Sequence, residues 1–209
     1  MTMLKLFYSP GACSMAVHIV LEWIGAPYQT VRVDYHDPEY LKINPAAAVP
    51  ALDYGGMEPL TQASAVLQYL ASTHPLANLL DDRTPETSAE LQRWASFLTG
   101  DLHPAFFLLF MPARYTVSTD SRALADVQAA GVALVQKKLA ILDSHLSGHE
   151  WLVGDKRTIV DAYATPMLNW AIAKLPKGLE PYPALKAHHE RMMADPAVKK
   201  VMADEGLSP

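Results

Sequence analysis

Up to about residue 80 the hydrophobic pattern of this chain switches between strand-like and helix-like spacing, and from residue 87 onward it keeps helical spacing. A chain patterned in this way needs two differently built units, one of strands and helices together and one of helices alone. In the first part, residues 4–8 (LKLFY) read as a strand, and residues 13–24 are mostly apolar with His18 and Glu22 four apart on one polar stripe of a helix. YQTVRV, residues 28–33, alternates and is β-branched like a second strand, and the short PEYLKI that follows makes a marginal helix. VPALDYGGMEPL carries two short runs around Gly55 and Gly56, a hairpin signal, before QASAVLQYLAST resumes helical spacing through Ala65, Val66, Tyr69 and Leu70. The order is therefore βαβαββα.

Residues 74–86 (HPLANLLDDRTPE) hold two prolines and a charge cluster with little periodicity, as a linker does, which sets the boundary near residue 82. Beyond it, residues 87–110, 121–146, 158–173 and 183–194 all carry three-to-four-residue apolar spacing, so the second unit is all-helical. Thr158 with Asp161 three residues on reads as a capping box, a folding signal and not catalytic chemistry. No repeat or low-complexity tract interrupts either unit.

Several function classes are disfavoured by composition. Lys plus Arg number 17 against 22 Asp plus Glu, a net charge of −5 with no long basic block, so no phosphate-tracking surface and no nucleic-acid partner is expected. The opening MTMLKLFYSPG has too short an apolar run for a secretory signal, and no small-residue cleavage pattern follows, so a cytoplasmic protein is expected. AFFLLFMPA, bounded by Pro104 and Pro112, falls far short of the roughly 20 residues that cross a bilayer and reads as core, so no membrane partner is expected. The single cysteine leaves no intrachain disulfide and no Cys-only zinc site, so no metal is expected.

That cysteine, Cys13 in YSPGACSMAV, stands where a helix starts, close to unsatisfied backbone N–H groups and the positive end of the helix dipole. Both favour a thiolate, so Cys13 reads as a candidate low-pKa sulfur, against the alternative that it simply packs. Val49-Pro50 stands directly before a predicted strand; were the bond cis, the Val49 N–H and C=O would face an extended peptide, whereas a trans bond makes an ordinary strand start. In LTQASAV, Gln62, Ala63 and Ser64 open a helix N-terminus suited to a carboxylate, unless Thr61 or Ser64 caps it.

In order and spacing these pieces resemble the cytosolic glutathione transferase superfamily, its bacterial beta class above all, over essentially the whole chain. YSPGACS is similar to the beta-class cysteine motif, NPAAAVPAL to the stretch that ends in a cis proline, LTQASAVLQYLA to the γ-glutamyl-binding helix start, and FLTGDLHP and VGDKRTIVDAY to the helical domain. The resemblance implies a thioredoxin-like α/β glutathione-binding domain over residues 1–82 and an all-α domain with an acceptor cleft over residues 87–209. It further implies a homodimer with its sites beside the interface, glutathione as co-substrate without a metal, and a small hydrophobic electrophile as acceptor, in the manner of detoxification enzymes. Carried over by position, Cys13 with Ala12 lies by glutathione's sulfur, Val49 before Pro50 pairs with the cysteinyl unit, Gln62, Ala63 and Ser64 meet the γ-glutamyl end, and His103 looks into the acceptor cleft. Tyr8 and Ser14 hold the positions of the thiolate-stabilising hydroxyl in other classes. Each pKa unit of thiolate stabilisation requires about 1.4 kcal/mol, within reach of one charge-assisted hydrogen bond and a helix terminus.

The chain departs from the beta-class pattern in ways that predict weakened glutathione binding. Ala63 lacks a hydroxyl, Gln62 replaces a glutamate, Pro104 follows His103 where lysine is common, and Ser96 replaces an asparagine that reaches glutathione from the partner subunit. The segment of residues 34–44 is also short, and by the resemblance loses the basic residue that contacts the glycyl end. Two other readings therefore stand beside the transferase: thiol-disulfide exchange through Cys13, whose C-S-M-A context offers no resolving thiol, and a non-catalytic binding module of the same fold. Pro104 predicts a bend at His103. Trp94, Phe97, Phe106, Phe107 and Phe110 read as core or dimer contacts, with Phe106, Phe110 and Tyr115 as candidates for the cleft. His18, His36, His145, His149, His188 and His189 match no family function and are expected to face solvent, the adjacent His188 and His189 on different sides.

Overall fold

The computed structural model describes residues 3–81 and 84–208. The first unit is β1 (Leu4–Tyr8), α1 (Ser14–Ile24), β2 (Tyr28–Arg32), α2 (Pro38–Ile43), β3 (Ala51–Asp53), β4 (Leu60–Thr61) and α3 (Ala63–Thr73), in the βαβαββα order expected. The sheet runs β2-β1-β3-β4, with β1 parallel to β2 and antiparallel to β3, and β3 antiparallel to β4. Because strand side chains alternate, Leu4, Leu6 and Tyr8 of β1 enter the main core with α1 and α3, whereas Phe7 turns to the other face and packs with Tyr40 of α2 and Ala51. This arrangement brings three segments to one end of the strands: the β1–α1 turn, the segment before β3, and the start of α3.

The remaining helices are α4 (Pro85–Phe97), α5 (His103–Phe110), α6 (Ser121–Leu146), α7 (Ile159–Lys174), α8 (Pro183–Ala194) and α9 (Pro196–Asp204). The expected boundary at residue 82 lies outside the described residues. The core is continuous: α1 packs against α3 on its own side and against α7 and α9 of the helical part. Fully buried Leu6, Met15, Ile19, Leu21, Leu70, Leu98, Leu102 and Phe106 each contribute roughly 1.5–3 kcal/mol. Gly131 lets α6 approach α5 closely, since a Cβ there would lie 2.7 Å from the Leu108 Cβ.

Two features depart from the expected helices. Residues 87–110 are not one helix: a π-helical turn, Leu98–Leu102, separates α4 from α5. Pro104 has no N–H to offer the Gly100 carbonyl, and the His103 N–H reaches back five residues to Leu98 O, so the wide turn absorbs the proline. The second is α9, absent from the sequence reading, whose N-cap Asp195 accepts from the N–H groups of Ala197 (2.8 Å) and Val198 (3.4 Å).

The Thr158–Asp161 box forms as read: Asp161 accepts from the Thr158 N–H (2.7 Å), and the Thr158 hydroxyl from the Val160 N–H (3.3 Å). Asp161 does more than the motif requires, also accepting from the Leu152 N–H at 3.0 Å and pairing with His188 at 2.8 Å, all in the buried core. His188 therefore does not face solvent, and neither does His18, whose Nδ1 lies 3.0 Å from buried Glu205 and whose Nε2 lies 3.1 Å from the Tyr28 hydroxyl. Tertiary carboxylate partners, invisible in local sequence, make burial of both rings tolerable. His145 is half-buried against the Trp94 ring and His189 bonds Asn169, so only His36 and His149 of the six are exposed.

Candidate functional site

Where the three segments meet the helical half lies a cavity of about 1110 Å³. Its N-terminal wall is Pro10–Cys13, Asn44 with Ala46–Pro50, and Gln62–Ala65; its helical wall is Thr99, His103, Pro104, Phe107, Phe110, Met111, Arg114, Tyr163 and Trp170. Tyr35, His36, Gln68 and Gln92 complete the rim.

The turn that carries Cys13 is fixed from three directions. The Ser14 hydroxyl donates to Ser9 O and accepts from the Ser9 N–H, each at 3.2 Å, closing the turn behind α1. The Gly11 N–H donates to Glu205 at 2.8 Å, and the Gly11 carbonyl accepts from Trp170 Nε1 at 2.7 Å. With φ at +67°, Gly11 takes the left-handed conformation that glycine adopts without strain. Residues 194 and 159 positions away thus hold the two peptide groups that flank one glycine.

Cys13 does not behave as the low-pKa sulfur that its helix position suggested. Burial pushes its thiol up to about 12, outweighing the Cys13 and Ser14 backbone N–H groups that favour the thiolate, and the neutral S–H donates to Val49 O at 3.2 Å. Desolvation beats the helix terminus here because the thiol is only 8 % exposed. Ala12, Val49, Pro50, Gln62, Ala63 and Ser64 all line the cavity beside it, and the Val49–Pro50 bond is cis. The Ala48 carbonyl in this stretch accepts from the Tyr40 hydroxyl (2.5 Å) and Asn44 Nδ2 (2.7 Å). Gln62 stands at φ +69°, a rare conformation for a residue with a side chain, and no side chain caps α3. Neither Thr61 nor Ser64 therefore takes the cap role, and the first N–H groups of α3 are free to meet an anion.

Three residues proposed from sequence lie elsewhere. Tyr8 is buried in the core with its ring 5.9 Å from that of His18, Ser14 is buried behind the turn, and Ser96 is exposed on α4. None of them lines the cavity of its own chain. Phe106 is fully buried beneath the wall and Tyr115 is exposed beyond it, so of the three suggested aromatics Phe110 alone faces the cleft.

On the helical wall His103 Nδ1 lies 2.9 Å from the Tyr163 hydroxyl, with the rings of Phe107 and Trp170 each 5.0 Å from the imidazole. Burial among them pushes His103 down to about 4, and burial also raises Tyr163, so both groups are neutral near pH 7. Trp170, Tyr163 and Arg114 went unassigned in the sequence. Tyr163 and Trp170 are seven apart on α7, and His103, Phe107 and Phe110 follow helical spacing on α5, so a search for facing stripes finds them.

A sheet-based unit offering bare backbone beside a cysteine, joined at a cavity to a helical unit, makes a two-part fold with a ligand-sized cleft at the joint. Comparison with known proteins narrows this. The family model of the glutathione S-transferase N-terminal domain matches residues 2–72, and that of the C-terminal domain matches residues 102–196. The chain is 40 % identical to the glutathione S-transferase GST-4.5 of Xanthomonas campestris, over 98 % of this chain and all of that one. It is 28 % identical to the disulfide-bond oxidoreductase YfcG of Escherichia coli over 96 % of this chain and 94 % of that one. Among solved structures it superposes on a sphingomonad glutathione S-transferase complexed with glutathione (34 % identity, TM-score 0.85) and on the bacterial beta class enzyme of Sphingomonas chungbukensis (33 %, TM-score 0.86); each alignment covers 98 % of this chain and all of the other. The chain belongs to the glutathione S-transferase family.

Proposed function

We propose that the chain is a dimeric glutathione transferase that directs the thiolate of glutathione onto a small, mainly apolar electrophile. The observation that carries this reading is the continuity of the two walls: free N–H groups of α3, the Val49 backbone and the Cys13 turn open directly onto Phe107, Phe110 and Trp170. In this reading residues 1–82 bind glutathione and residues 87–209 hold the acceptor. The γ-glutamyl carboxylate meets the start of α3, Gln62 its α-amino group, and Val49 the cysteinyl backbone. The thiolate then lies among hydrogen-bond donors: the Cys13 S–H, turned from Val49 O, and His103 Nε2–H, the tautomer that goes with the Tyr163 hydroxyl donating to Nδ1. Neutral donors suffice because the acceptor is an anion. With an aryl halide, the sulfur forms a bond to the ring carbon, the C–Cl bond breaks with its electron pair leaving as chloride, and the thiol proton passes to solvent. Ser14 acts through the turn it closes, Tyr8 through the core against His18, and Ser96 only through a partner subunit.

Conjugation of glutathione to 1-chloro-2,4-dinitrobenzene, followed by absorbance, tests this. Activity should persist within about tenfold in Cys13→Ala, since one neutral donor is removed and no nucleophile. Thiol-disulfide exchange makes the opposite prediction, a glutathionyl adduct on Cys13 after oxidised glutathione treatment and complete loss in Cys13→Ala. A buried, neutral thiol disfavours that route. Absence of conjugation together with failure to bind immobilised glutathione would leave a binding module of the same fold.

A further inference from the structure

The charge on the cavity lining is one-sided. Among the described residues that line it, none is Asp or Glu, and the single Lys or Arg is Arg114. Arg114 closes the one-turn 3₁₀ segment Pro112–Arg114 just after α5, near Phe110 and Met111 in the chain, and lines the same cavity as the Cys13 turn. Its side chain is exposed and has no ion-pair partner among the described residues. Lys174, also exposed, stands with its Nζ 5.9 Å from the Phe110 ring and adds positive potential from outside the lining.

An aromatic wall with an uncommitted guanidinium beside it and no carboxylate in the lining suits a flat ring that carries an anion. The ring packs against the cleft side of the Phe110–Trp170 pair, which meet edge to face at 88° with centroids 5.3 Å apart, and the anion reaches the fork of Arg114. Cleft walls of low dielectric focus the field of a single charge, so an exposed arginine acts more strongly there than on an open face.

We infer that Arg114 selects the acceptor: the electrophile of this protein is an aromatic compound bearing a carboxylate or a similar anion, held with its reactive carbon toward the Cys13 turn and its charge toward Arg114. The inference deepens the transferase reading and rests on it for its chemistry. Attack follows the same balance as above, C–S formation at the ring carbon with departure of chloride, and the carboxylate takes no part in the bond changes.

Two measurements test it. In the first, unreactive 3,5-dinitrobenzoate and the neutral 3,5-dinitrobenzamide are titrated against tryptophan fluorescence in the presence of glutathione. The benzoate should bind about fivefold more tightly, and the preference should fall to about one in Arg114→Ala, persist in part in Arg114→Lys, and shrink by no more than about twofold in Lys174→Ala. In the second, 4-chloro-3,5-dinitrobenzoate and the matching amide are conjugated, each rate divided by its uncatalysed rate. The same fivefold ratio should appear in kcat/KM and vanish in Arg114→Ala, with the KM for glutathione unchanged. A preference that is absent, or that survives Arg114→Ala, overturns the inference. So does an Arg114→Ala protein whose glutathione KM rises while the acid-to-amide ratio holds, because Arg114 then serves the co-substrate. Benzoate preference in binding without conjugation of either halide overturns the transferase reading and leaves the anion site standing.

Discussion

The N-terminal wall of the cavity offers mostly backbone, whereas the helical wall offers side chains. On the first, the lining groups are the start of α3, capped by no side chain, the Ala46–Pro50 stretch and the turn at Pro10–Cys13. On the second they are an imidazole, a phenol, an indole, two phenylalanine rings and a guanidinium. A backbone wall tolerates substitution: Ala63 for a hydroxyl residue, or Gln62 for an acid, alters one contact and leaves the peptide geometry in place. A side-chain wall has no such reserve, because each replacement changes shape or charge directly. Binding of a constant co-substrate suits the first, and discrimination among acceptors suits the second.

The contrast breaks first at the foundation of the helical wall. Asp161 holds the start of α7, the helix that carries Tyr163 and Trp170, and accepts from two backbone N–H groups, a hydroxyl and His188 in the dry core. Asp161→Ala should destabilise the protein by about 3–5 kcal/mol, because it strands those donors without water to replace the carboxylate. Urea denaturation measures the loss, and a change under about 1 kcal/mol would show that the wall stands without the box.

The second test falls on the joint between the walls. Trp170→Phe keeps most of the aromatic surface but removes the N–H that holds the Gly11 carbonyl at 2.7 Å. Stability should drop by only about 1 kcal/mol. Turnover should fall about tenfold, because Gly11 in the turn that carries Cys13 is then tied to the helical part by Glu205 alone, with Ser14 closing the turn from behind. Steady-state kinetics with an unchanged rate would mean that the two walls work independently.

The same contrast governs how much could be read from the chain. The backbone wall is written in contiguous motifs, so Cys13, Val49, Pro50 and Gln62–Ser64 are nameable as candidates from sequence, with the family resemblance supplying their roles. β1, α6 and α8 emerged with the bounds read, because strong periodicity and flanking turn or capping residues define them locally. The side-chain wall is assembled across sequence: His103 meets Tyr163 60 residues on, and Glu205 meets Gly11 from 194 away. Helical spacing could say that Trp170 and Phe106 were apolar-facing, but not which of them met solvent in a cleft. The burial that reversed the expected ionisation of Cys13 is likewise a property of the packed helices around it. Pro104 announced a bend, yet the residues absorbing it lie upstream, where a π turn has no sequence marker of its own.

The smallest effect concerns pH and sharpens the account of the helical wall. His103 sits at about 4 in the folded protein against an ordinary 6.5, because burial beside Phe107, Tyr163 and Trp170 disfavours the imidazolium. Between those two values the unfolded chain binds a proton that the folded chain refuses. Stability therefore rises with pH across that window, is flat with respect to this group above it, and falls as pH drops from about 6.5 toward 4. Between pH 7 and pH 5 the wild type should lose on the order of 1 kcal/mol more than His103→Gln, read from urea midpoints. For catalysis the same burial means that His103 stays a neutral donor, and its titration should add no inflection to kcat/KM between pH 6 and 8. An inflection there that disappears in His103→Gln would make the residue a general base, and the helical wall would then supply proton transfer as well as shape.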